Sequence, residues 1–114
     1  MLYVGIDFGK RIGIAKAYEE LKIAVPIGVY YFNDMVQVIK KLNPDKLIIG
    51  WPLLINGSEG LQCHRTKSMI GNLMHQLPTP IEYYLQDERF SSQYSNGDDS
   101  SAAWILKMFL EKNK

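Results

Sequence analysis

Apolar residues recur along this chain with two periods, and the switches between them mark its elements. Leu2 to Ile6 is a short continuous apolar run, the pattern of a buried strand. Ile12-Gly13-Ile14-Ala15 is a second. The break between them, with Gly9-Lys10-Arg11, reads as a β-hairpin. From Lys22 to Phe32 the period is two, with Ile23, Val25, Ile27, Val29 and Tyr31 on one face, and Pro26 within it predicts an edge strand. Met35, Val36, Ile39 and Leu42 then fall at helical spacing behind the N-cap candidates Asn33 and Asp34, and Asn43-Pro44-Asp45 closes that helix.

Lys46 to Gly50 encloses Leu47, Ile48 and Ile49, a run suited to a strand covered on both faces. A loop through Asn56-Gly57 leads to a helix expected from Glu59 to about Gln76. Ser58 would cap it, with Leu61, Met69, Ile70, Leu73 and Leu77 inward. Pro78 and Pro80 stop it, and Ile81 to Gln86 is the next strand. The last helix, Asp99 to Glu111, carries Ala102, Ala103, Leu106, Phe109 and Leu110 on one face. The order β-β-β-α-β-α-β-α implies a layered α/β domain whose sheet is mixed: an antiparallel meander, then parallel strands joined by helical crossovers.

Composition narrows this picture little. The 114 residues suit a single domain spanning 1–114, and apolar and charged fractions of 46% and 22% are ordinary for a globular protein. No apolar run approaches the roughly 20 residues of a membrane span, and Asp7, Lys10 and Arg11 interrupt any signal-peptide core, so a cytoplasmic protein is expected. One cysteine, Cys63, excludes an internal disulfide framework and reads as a small core residue. A net charge of +1 means that a nucleic-acid partner would need a local basic patch.

The candidate chemistry is acidic. Asp7 closes the first strand, Asp87-Glu88 follows the last, and Asp99 begins the last helix one turn before Ala102 and Ala103, on the face turned to the sheet. A carboxylate at the end of a central strand is costly to bury unless it is paired or binds a metal. Ligands bind outside the carboxyl ends of parallel strands. Three carboxylates converging there would hold a hard cation, Mg²⁺ or Mn²⁺. Two such ions can stabilise the attacking and leaving oxygens of a phosphodiester, so that water attacks and no side-chain nucleophile is needed. Taken singly, Asp99 could be an acid favoured by the helix dipole. Asp87 or Glu88 could pair with Arg89 at the surface.

Parity offers a choice within Asp87-Glu88. Ile81, Tyr83 and Leu85 share parity with Asp87 and form the more apolar set, expected to face the helix layer that carries Asp99. Asp87 is then the expected ligand and Glu88 its support. Lys10 and Arg11 beside Asp7, Arg89, and Ser58 at a helix start are candidates for contact with substrate phosphates. His64, Arg65 and Lys67 could extend a basic rim. Trp104 falls off the apolar face of the last helix and should be partly exposed.

These motifs resemble one family. "GIDFGKRIGIA" is similar to the opening D-x-G hairpin of the YqgF (RuvX) family, described as Holliday-junction resolvases and as pre-16S rRNA nucleases. "IIGWPLLINGSEG" resembles its strand and G-x-P loop, "DERFSS" its D-E-R motif, and "DDSSAAWILKMFL" its final helix. The four stand in family order across nearly the whole chain. The resemblance implies an RNase H-like fold, with a five-stranded mixed sheet of order 3-2-1-4-5 and helices on both faces. It implies a metal-dependent endonuclease with Asp7, Asp87 or Glu88, and Asp99 as carboxylate ligands for Mg²⁺ or Mn²⁺. Its substrate would be structured nucleic acid, a DNA junction or precursor 16S rRNA, and a two-fold junction would favour a homodimer. Two other classes remain: a relative that binds RNA or a protein partner without cleaving, and an ATP-binding domain of the actin–hexokinase type, which needs more chain than is here.

Overall fold

The structure, a computed structural model, describes residues 1–87 and 99–112. Its elements run β1 (Leu2–Asp7), β2 (Ile12–Tyr18), β3 (Ile23–Tyr30), α1 (Phe32–Leu42), β4 (Lys46–Trp51), α2 (Leu61–Gln76), β5 (Glu82–Asp87) and α3 (Asp99–Lys112). The expected sheet order is found: one five-stranded sheet, β3-β2-β1-β4-β5. β1 pairs antiparallel with β2 and parallel with β4, and β4 pairs parallel with β5.

Two cores lie on opposite faces of the sheet. On one, Val4, Ile6, Leu47 and Ile49 pack with Met35, Val36 and Ile39 of α1 and Ile70 and Leu73 of α2. On the other, Ala15, Ala17 and Ile48 meet Ala102, Ile105, Leu106 and Leu110 of α3. The central strands β1 and β4 are therefore covered on both sides, as the unbroken Leu47-Ile48-Ile49 run requires.

Three local expectations are corrected. Helix α1 starts one residue ahead of Asn33, with Tyr31 as an N-cap that makes no side-chain hydrogen bond. Asp34 lies in the first turn, where its charge suits the dipole instead. Helix α2 is capped by Gly60 rather than Ser58. The backbone N–H and the hydroxyl of Ser58 both donate to Asn56 Oδ1, at 2.9 and 2.6 Å, so a local turn claims the serine before the helix can. Leu61, expected inward, is 65% exposed because it is the first helical residue. On β3, Pro26 does sit in an edge strand. However, Ile23 and Val25 are exposed, on the face opposite Ala24, which packs against the α3 core.

Candidate functional site

The carboxyl ends of β1, β4 and β5 point the same way, so Asp7, the loop after Trp51 and the segment after Asp87 gather at one edge of the sheet. Helix α3 runs antiparallel to β1 across one face. Tyr3 packs edge-on against Phe109, with ring centroids 6.0 Å apart, while Gly5 faces Ala102 and Leu106. Tyr3 to Asp7 covers about 13 Å of strand. Phe109 back to Asp99 covers about 15 Å of helix. The backbone at the start of α3 therefore overlies the end of β1 at the carboxyl edge, on the face to which alternation assigns Asp7.

Gly5 makes this approach close. A Cβ placed there would lie 2.7 Å from the Ala102 carbonyl oxygen and 2.7 Å from Leu106 Cγ. The small residues expected to seat α3, Ala102 and Ala103, are thus matched by a glycine on the strand. The reading of the chain passed over that glycine, and the only signal for it was a small residue inside an apolar strand.

The facing assumed for β5 is reversed. Tyr84 stacks against Phe109 of α3, centroids 5.5 Å apart, so the even-numbered residues face α3. Tyr83 and Leu85 line a groove with Trp51, Ile70 and Met74 instead, on the α2 face. Alternation carries Asp87 to that second face, which is also the face of its pairing partner Trp51. Asp7 is on the α3 face, two positions beyond Gly5. Apolar content did not predict the facing because β5 is an edge strand whose large side chains are exposed on both faces, Tyr84 at 39% and Leu85 at 46%. Gln86 takes the α3 face and is buried, paired with Gly50, a residue with no side chain to fill the row between β1 and β5.

The basic candidates separate. The Arg11 guanidinium lies over the Tyr31 ring, 5.8 Å from its centroid. Lys10 instead joins Gln62, Arg65 and Thr66 of α2 around a cleft of about 370 Å³ on the other side of the hairpin turn. Ser58 stays in the turn after β4, on the same edge. Glu88 and Arg89 lie outside the described residues. Cys63 is buried, its thiol 3.4 Å from the Pro52 carbonyl, and Trp104 is half-buried with the Lys107 ammonium over its ring.

The resolved ionic contacts lie at the opposite end of the strands. Lys46 bonds Glu82, which holds the Glu82 carboxyl below and the Lys46 amine above their usual ranges. The Tyr3 hydroxyl donates to Glu19, which pushes the phenol up to about 12.

Among the described residues no cluster of three His, Cys, Asp or Glu forms a ready metal site. Asp7 nonetheless brings a donor of the right kind to this edge, a hard carboxylate, and the sequence of the overlying helix α3 begins with a second acid, Asp99.

Sheet order, two-sided helix cover and acids at the carboxyl edge define an RNase H-like α/β domain. The chain belongs to the RuvX family, described as Holliday junction resolvase, whose sequence model matches residues 1–97. A relative from Sulfurihydrogenibium sp. (strain YO3AOP1), provisionally named a pre-16S rRNA nuclease, is 31% identical over 96% of this chain and 89% of its own length. One of the same name from Orientia tsutsugamushi (strain Ikeda) is 32% identical over 97% of this chain and 69% of its own length. Among solved structures, Thermus thermophilus RuvC in complex with a Holliday junction substrate superposes with a TM-score of 0.61, covering 99% of this chain and 96% of that one. At 11% identity this last likeness is one of fold. No helix among the described residues is long and apolar enough to cross a membrane.

Proposed function

We propose that the chain is a divalent-metal-dependent endonuclease acting on structured nucleic acid, a four-way DNA junction or the 5′ region of precursor 16S rRNA. The observation that carries this reading is the seating of α3 on Gly5, which brings the start of the helix, Asp99, over the end of β1, Asp7. Asp7 and Asp99 would hold the ion, Mg²⁺ or Mn²⁺, with a third carboxylate from the end of β5. Alternation turns Asp87 to the α2 face, away from Asp7, which favours its neighbour in sequence, Glu88, as that third ligand. Glutamate also has the longer reach, and β1 and β5 are separated by β4, about 10 Å across. When bound, the cation supplies charge neutralisation at the phosphodiester and activation of water. Lys10, Arg11, Ser58 and Arg89 would orient substrate phosphates around that edge.

The test is cleavage of labelled precursor rRNA and a labelled four-way junction side by side, with Mg²⁺ or Mn²⁺. Glu88→Gln should abolish cleavage while Asp87→Asn stays mild. The opposite ranking would return the ligand to Asp87. A second reading, binding without cleavage, draws on the segment 90–98, which brings no Lys or Arg to the last helix. It predicts that both probes are bound and neither is cut.

A further inference from the structure

A second feature lies beside the hairpin turn, a cleft lined by cations rather than carboxylates. It opens between Gly9-Lys10 and one stripe of α2, in which Gln62, Arg65, Thr66 and Met69 recur at helical spacing. Its floor is Phe8 and the buried Thr66, and Lys10 and Arg65 stand exposed at its rim. No acid is among the residues that line it. Among the described residues neither cation is in an ion pair; the pairs Met1–Glu20 and Lys46–Glu82 lie at the far end of the strands. Arg11, the neighbouring cation, lies over the Tyr31 ring and is not among the residues that line this cleft. Two like charges across a cleft of about 370 Å³ favour an anion between them.

We propose that Lys10 and Arg65 seat a backbone phosphate of the nucleic-acid strand, with Gln62 and Thr66 offering it hydrogen bonds. This rests on the nuclease reading above and adds the path of the substrate. Gly9 is two residues beyond Asp7, at most about 8 Å along the chain. A nucleic-acid strand advances about 3.4 Å of axis per nucleotide. The seated phosphate is therefore within about three nucleotides of the one at Asp7. Because α2 and α3 cover opposite faces of the sheet, the strand passes over the carboxyl edge from the α3 side to the α2 side. Arg65 is thus a positioning residue that holds the strand rather than the reacting atoms.

Binding of a fluorescent four-way DNA junction and a fluorescent RNA hairpin, measured without divalent metal over a range of salt, tests this. The two probes separate DNA from RNA as the source of the phosphate. Each phosphate contact contributes about 0.9 to the slope of log affinity against log salt, about eightfold in affinity at 0.1 M. Arg65→Gln and Lys10→Gln should each show that loss and a slope lower by about one, with unchanged melting temperature. Lys41→Gln, the same charge change in the last turn of α1, should leave the slope as it was. If wild type binds and Arg65→Gln keeps affinity and slope, the seat is wrong while the nuclease reading stands. If Arg65→Gln behaves as expected but wild type cuts neither substrate, the seat stands and the nuclease reading fails. If wild type binds neither probe, both fall.

Discussion

Replacing Gly5 by alanine should do more harm than one methyl group usually does. Gly5 is in the centre of the sheet, paired with Ala15 on β2 and Ile48 on β4, so its backbone cannot retreat. The new methyl would meet a backbone carbonyl of α3 and the fully buried Leu106, both at 2.7 Å. Ordinary carbon contacts need about 3.5 Å, so α3 must lift by roughly 0.5–1 Å. Overpacking of this kind costs about 1–3 kcal/mol. At roughly 4 °C per kcal/mol for a domain of this size, the melting temperature should fall by about 4–12 °C. The lift also displaces Asp99, which begins the same helix, so stabilisation by Mn²⁺ should shrink along with cleavage. Circular dichroism melts with and without Mn²⁺ read both effects. A mutant that melts like wild type and gains the same Mn²⁺ shift would refute the claim that this contact seats α3 and sets the metal edge.

Gly71→Ala should act in the opposite direction. It lies inside α2 with nothing within 4 Å of the added methyl, and the gain should be about 0.5–1 kcal/mol in a denaturant titration. Asp7→Asn should abolish metal-dependent cleavage and leave the metal-free melt intact or slightly raised, because it removes one of several like charges; a large destabilisation would mark Asp7 as structural. Mn²⁺ should raise the wild-type melting temperature by mass action, and Asp99→Ala should remove most of that rise; an undiminished rise would place Asp99 outside the ligand set. The hydrogen bond to Glu19 raises the Tyr3 phenol from 10.0 to about 12. A pKa raised by folding contributes stability that is whole below pH 10 and lost as pH climbs through about 12. Tyr3→Phe should flatten that alkaline limb in pH-dependent melts, and an unaltered limb would show that the bond does not matter.

The element order, the strand order expected from the family motifs, the inward face of α1 and most of that of α3, where the fully buried Ile105 was missed, could be read from the chain. Hydrophobic periodicity is local, and a buried strand or helix must repeat its apolar residues at its own period wherever it ends up. The acids at element ends were visible for the same reason, since position within an element is a property of sequence. Relations between elements were not. Ser58 looks like a helix cap until Asn56 is seen to hold it. Lys10 and Arg11 look like one basic pair until the hairpin turn sends one to α2 and the other onto Tyr31. The facing of Asp87 looked settled by the more apolar parity of β5. That edge strand leaves large side chains exposed on both faces, so composition carries no direction, and only the packing of Tyr84 on α3 decides which face is which. Gly5 is the limiting case: its role is the space it leaves for a helix about a hundred residues further along the chain, and no local pattern records a space that tertiary packing alone creates.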